Sequence, residues 1–175
     1  MSNPQLRRTR WLVVAAALAL PLAASAAPKA QLSKKDQHFM TEAIQGDLSE
    51  IKMGKLAQEK GQTDAVKQFG KTLEQDHSDN LQKAQQLASQ NGLTAPTEPN
   101  AKQQKMYQKL SSVPANKFDA AFARAMVKDH KKDVGKFRKE AKSNSAAADF
   151  AKQTVPVLQK HLQLAESLTS GRASR

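Results

Sequence analysis

Between Ser33 and Thr169 apolar residues recur in alternating steps of four and three, the spacing that lays a stripe along one face of an α-helix. Few breaks interrupt it: Gly61, the stretch from Asn91-Gly92 through Pro96 and Pro99, and Ser143-Asn144-Ser145. A chain patterned this way can bury its stripes only by packing helix on helix. Aromatic residues are scarce, at 5%, while Ala, Lys, Gln and Leu abound, which disfavours a barrel or sandwich. Cysteine is absent, which excludes disulfides, thiolate zinc sites, iron–sulfur clusters, a cysteine nucleophile and a cysteine-linked lipid.

The breaks define four long helices. Ser33-Lys34-Lys35-Asp36 is a capping-box-like start, and the first helix runs to about Lys60. Thr63 or Asp64 opens the second, which ends at Asn91-Gly92. A short helix over Lys102–Leu110 is expected within the connection before Pro114. The third long helix spans about Lys117–Lys142. The fourth runs from about Ala146 to Thr169, with a kink expected at Pro156. The fold class is therefore all-α: a four-helix bundle over 33–169 with a long connection between its second and third long helices. Such a connection suits the ferritin-like crossover layout and equally permits plain up-down-up-down threading. Residues 27–32 read as a short N-terminal tail and 170–175 as a disordered C-terminal one.

The first 26 residues read as a cleaved secretory signal peptide. Arg7, Arg8 and Arg10 precede the apolar run Trp11–Leu20, and Ala24-Ser25-Ala26 supplies small residues at the cleavage spacing. An uncleaved anchor is the competing reading, but the run is short for a span and Pro21 interrupts it. Arg7-Arg8 does not make a twin-arginine signal, because Arg10 stands where an aromatic residue belongs. No later segment is long and apolar enough to cross a bilayer, so the expected location is the periplasm. Removing three Arg from 28 basic residues leaves 25 against 16 acidic ones, a net charge of +9. These charges are scattered through every helix without stacking aromatics, so no specific nucleic acid is expected as partner. Binding of anionic polymers by this surface is a weaker third idea, and an envelope partner or a homodimer stays open.

Each long helix carries an ionisable residue near the middle of its inward stripe. The stripes are Phe39, Ala43, Gly46, Glu50, Met53, Ala57; then Val66, Gly70, Leu73, His77, Leu81; then Phe122, Met126, His130, Phe137; then Phe150, Thr154, Val157, His161, Leu164, Leu168. Phe69, Leu73, Asp76-His77, Asn80-Leu81 also recurs 53 residues later as Phe122, Met126, Asp129-His130, Asp133-Val134. Two related helices thus present equivalent histidines.

His77, His130, His161 and Glu50 make a candidate ligand set for a transition-metal ion such as Zn, Fe, Mn, Cu or Ni. Glu74 and Asp133 lie three positions from His77 and His130, and Asp76 and Asp129 directly precede them. Both aspartates are expected to orient a histidine of a neighbouring helix. His161 lacks a Glu three residues before it, so a standard di-iron site is not expected. His38 lies outside the pattern and is expected to be exposed. The rival reading is a buried His/Asp/Glu network that fixes helix register without metal, in a non-catalytic envelope or stress-related interaction protein. No nucleophile triad, Gly-rich phosphate loop or dinucleotide motif is present, and no catalytic residue is assigned.

These residues together resemble a bacterial family of exported, nominally outer-membrane proteins, domain of unknown function family 4142 of the ferritin-like superfamily. The resemblance rests on Phe39, Gly46-x3-Glu50, Leu56-Ala57, Val66-x2-Phe69, Asp76-His77, Phe118-Asp119, Met126-x2-Asp129-His130 and Pro156-x4-His161-Leu162. It spans about Ser33 to Leu168 and implies a ferritin-like bundle and export. It implies no activity.

Overall fold

A computed structural model describes residues 32–170; the signal-peptide reading and most of both tails lie outside them. Four long helices, α1 (Lys34–Lys60), α2 (Asp64–Gln90), α4 (Ala115–Ala141) and α5 (Ala148–Thr169), are joined by short turns and by a connection holding α3 (Ala101–Ser111). No strand occurs among the described residues.

Local chemistry sets the ends. Ser33 caps α1 in a full capping box with Asp36, and Asn100 does the same for α3 with Gln103. Thr63 caps α2. Pro114 offers α4 no side-chain cap. Instead Asp119, one turn in, accepts from the Gln62 and Thr63 amides, so the start of α4 is tied to the α1–α2 turn. α5 continues through Pro156 as one helix. That residue is exposed, so the carbonyl freed by the missing N–H can face water.

The threading question is decided by which residues share a core. One apolar cluster joins Phe39 and Ile44 of α1, Ala88 of α2, Phe137 of α4 and Phe150 of α5. The other joins Leu56 of α1, Phe69 of α2, Phe118 of α4 and Ala165 of α5. The chain therefore runs up, down, down, up, and the 91–114 connection returns along the length of the bundle. Side-chain pairs between neighbours all read antiparallel: Asp47 with His77, Asp76 with His161, Lys131 with Glu166, and Glu42 with Lys136. α2 and α4 are left parallel on one diagonal, α1 and α5 on the other.

Two details of packing differ from the heptad reading. In α5 the buried residues are Ala148, Phe150, Ala151, Thr154, Leu158, His161 and Ala165, with Val157, Leu164 and Leu168 only half-buried. A straight helix repeats at 3.6 residues, so its buried face drifts away from a strict heptad. Between α1 and α2, glycine lets the backbones nearly touch: a Cβ on Gly54 would sit 2.5 Å from the Gly70 carbonyl oxygen. Between the two apolar clusters lies a polar layer at mid-height, and it contains the candidate site.

Candidate metal centre

The stripes of α2, α4 and α5 bring His77, His130 and His161 together at the bundle axis. Their ring centroids are 5.2 to 5.9 Å apart. One nitrogen from each ring lies within 4.8 Å of one from each of the others. All three residues are buried, at 5%, 1% and 0% exposure, so bulk water does not satisfy these nitrogens.

Each ring is held from outside. His77 Nδ1 lies 2.8 Å from Asp47 Oδ1, and His161 Nε2 lies 2.9 Å from Asp76 Oδ2. Burial pushes the Asp47 carboxyl up, but the Asn80 amide donating to both its oxygens favours the carboxylate, so at both aspartates the ring N–H donates and the carboxylate accepts. His130 Nδ1 lies 3.0 Å from the Met126 carbonyl oxygen; a carbonyl only accepts, so this nitrogen carries the proton. The remaining nitrogens, His77 Nε2, His130 Nε2 and His161 Nδ1, have no hydrogen-bond partner. A neutral ring with one N–H engaged presents a lone pair on the other nitrogen. Three such lone pairs therefore converge in the interior. An unsatisfied buried polar atom costs about 1–3 kcal/mol, so a protein interior does not usually hold three together.

The rings stay neutral near pH 7. Burial pushes His77 down to about 4. Burial, then repulsion from the other two rings, takes His130 to about 3. Burial and the His77 ring take His161 to about 4, against the pull of Asp76. Neutral imidazole is the form that binds metal, and an N–H donated to a carboxylate or carbonyl is the usual outer support of a metal-bound histidine.

Glu50 lies beside this cluster and outside the group of mutually close ligand atoms. It is 3% exposed, and neither carboxyl oxygen has a partner. Burial, with Asp129, Asp133 and Asp47 nearby, raises it well above the usual carboxylate range. Glu50, Asp47, His77, Asp129 and Asp133 line one cavity of ≈ 120 Å³ on the side of the bundle roofed by α3. Burial, then Asp129, raises Asp133 to about 6.

The other sequence candidates fall in distinct places. Asp76 reaches across to His161 of α5, and although burial opposes it, hydrogen bonds from His161 and Lys160 hold its carboxyl below the usual value. Asp129 makes no such bond to a histidine; it stands near Glu50 of α1 and helps raise its carboxyl. Glu74 points out of the site, accepting from Gln58 at 2.7 Å with Lys55 nearby. His38 is exposed, 3.7 Å from Glu42.

Asp47 and Asn80 are site residues that the stripe reading passed over. Asp47 accepts from His77 Nδ1, and both its oxygens accept from the Asn80 amide, at 3.1 and 2.9 Å; the Asn80 carbonyl in turn accepts from Thr154. One chain of hydrogen bonds thus joins α1, α2 and α5. A signal for Asp47 existed, since it lies three residues before Glu50 on the same helix face.

Comparison with known proteins adds the following. A family model described as a domain of unknown function (DUF4142) matches residues 21–168. No curated protein and no solved structure matches the chain.

Proposed function

Because the chain belongs to the DUF4142 family, whose description carries no activity, we propose a function from the geometry: it holds one transition-metal ion inside the bundle through His77, His130 and His161. The observation that carries this reading is three buried rings that bring a nitrogen each within 4.8 Å of the others, every ring having one nitrogen engaged and the other without a partner. Three imidazoles suit Zn, Cu, Fe or Ni. Ligands at about 2.0–2.1 Å around a tetrahedral ion lie roughly 3.3 Å apart, so the rings would draw slightly inward on binding. Glu50 faces the same space from α1 and would fill or guard the fourth position. Asp47 and Asp76 would orient two of the rings, with Asp129 and Asp133 setting the charge around Glu50.

Export to the periplasm belongs to the same proposal. Its support is the charged, apolar and small-residue pattern of the first 26 residues, together with the absence of a membrane-crossing helix among the described ones. A ferritin-like relationship is supported by the up-down-down-up threading. The rival structural network accounts for the outer hydrogen bonds but not for the three inner lone pairs.

The test is metal content after purification from the envelope fraction, for wild type and His130→Ala, with melting curves with and without added Zn, Cu, Fe or Mn. Stoichiometric metal in wild type, lost in the variant, is expected. If both hold only traces and melt alike with and without metal, the reading fails.

A further inference from the structure

A second feature lies outside the bundle interior and does not depend on the metal. α3 runs antiparallel to α4 and leaves a groove of ≈ 630 Å³ against it, within the range of about 300–1,000 Å³ common to small-molecule sites. The floor is apolar: Met106, Leu110 and Val113 from the α3 side, Ala121 and Ala125 from α4. The two alanines are the reason the groove exists, because larger side chains there would fill the space beneath α3. Around the edge stand Lys102, Lys109, Arg124, Lys128 and Lys132. Among the described residues none of these five has a carboxylate within ion-pair distance, whereas Lys131 and Lys136, on the same helix, are paired with Glu166 and Glu42.

The groove has a direction. Lys102 and Lys132 line both it and the acidic interior cavity, which marks that end as polar; Asp129, the groove's one carboxylate, stands there too. Leu110, Val113 and Ala121 form the opposite, apolar end.

We infer that this groove binds a single-chain amphiphile with an anionic head, the head between Lys102 and Lys132 and the acyl chain lying toward Val113 and Ala121. Charge decides among the occupants. Residues 1–31 and 171–175 carry Arg7, Arg8, Arg10, Lys29, Arg172 and Arg175 and no acidic side chain, so neither end of this chain complements a cationic rim. A second copy meeting it groove to groove would oppose the same five cations to themselves. An apolar floor with an unpaired cationic edge fits a fatty carboxylate or the acylated anionic head of a lipid equally, since the recognised chemistry is shared.

The experiment titrates purified full-length protein with laurate and with dodecyltrimethylammonium, which share a tail and carry opposite heads, below their micelle concentrations. Saturable one-to-one binding of laurate is expected, with the cationic probe weaker by roughly tenfold or more. Lys102→Glu with Lys132→Glu should weaken laurate by a similar factor, and Ala125→Leu, which fills the floor, should abolish binding. Melting curves check that each variant folds; if Ala125→Leu does not, the charge-reversed variant decides. Lysophosphatidate in place of laurate separates a phosphate head from a carboxylate. His130→Ala should bind laurate as wild type does, so this result and the metal reading fail separately. Absence of saturable laurate binding, equal affinity for both heads, or indifference to charge reversal overturns the inference. A concentration-dependent dimer abolished by Ala125→Leu would assign the groove to a second copy and overturn it as well.

Discussion

Asp47 of α1 accepts the His77 ring proton at 2.8 Å from inside the protein, and by doing so turns the other nitrogen of that α2 imidazole toward the bundle axis. Asn80 holds Asp47 in place through both carboxyl oxygens. Asp47→Asn offers an amide whose N–H₂ can point at His77 and invert its tautomer. Metal affinity should then fall by about 10–100-fold, the usual effect of losing an outer partner. Competition against a chelator of known affinity measures it, with Asp76→Asn as the matching change at His161. Unaltered affinity in both would show that neither carboxylate orients a ligand.

Protonation of the rings sets a stability limit in acid. All three histidines have native values depressed from 6.5, to about 4, 3 and 4, so between pH 6.5 and those values the unfolded chain binds more protons. Stability of the metal-free protein is therefore intact above 6.5 and falls as pH falls through that window. His130 lies lowest, and His130→Gln should flatten the fall, seen as a smaller loss of melting temperature from about pH 7 to about pH 5. The raised carboxyls of Asp47, Glu50 and Asp133 act in the opposite sense but are common to both proteins, so they leave the difference untouched. Equal slopes would contradict the depressed value for His130.

Metal uptake should release protons, and the carboxyls rather than the imidazoles should supply them. Burial raises Glu50 well above the usual range and Asp133 to about 6, so both carry protons in mildly acidic solution, whereas the rings are already neutral. A nearby dication favours the ionised carboxylate. Calorimetric titration near pH 6, in two buffers of unlike ionisation enthalpy, should show on the order of one proton leaving per ion bound. Glu50→Gln should remove most of that release; if the count does not change, Glu50 is not the source.

The close approach of α1 and α2 predicts a sharp contrast among glycines. Gly54→Ala would put a Cβ 2.5 Å from the Gly70 carbonyl oxygen, and Gly70→Ala one 2.6 Å from the Gly54 oxygen, in both cases against rigid backbone. Each should destabilise by about 1–3 kcal/mol in urea unfolding. Gly135→Ala, on an exposed face of α4 with nothing within 4 Å, should instead stabilise by about 0.5–1 kcal/mol. The same sign at all three positions would mean that the α1–α2 contact yields readily.

Much of this architecture is legible in the amino-acid order. Helix ends could be read because their determinants are local: Ser33 with Asp36 and Thr63 before Asp64 act within one turn. The three histidines could be read because each falls near the centre of an apolar stripe. Threading could not be read, since the residues between α2 and α4 are long enough to return or to cross, and only the sharing of Phe39 with Phe137 and of Phe69 with Phe122 decides between them. Glu74 misleads because spacing along one helix does not tell what stands opposite, and Glu74 meets Gln58 and Lys55 of α1. Asp47 hides because a stripe credits one residue per turn, and Gly46 takes the place.

The recurrence of the α2 segment 53 residues later in α4 gains its meaning from the diagonal arrangement. Parallel helices on opposite corners of an antiparallel square are exchanged by a local two-fold axis along the bundle, which also exchanges α1 with α5. His77 and His130 are counterparts across that axis. Asp76, which meets His161 of α5, has its counterpart in Asp129, which stands near Glu50 of α1 and helps raise its carboxyl. Glu50 thus stands where symmetry would put a fourth imidazole. The centre is a four-cornered frame with one corner replaced, and that corner lines the interior cavity beside His77. A symmetric set of four rings would enclose an ion on every side. The single carboxyl gives it a front.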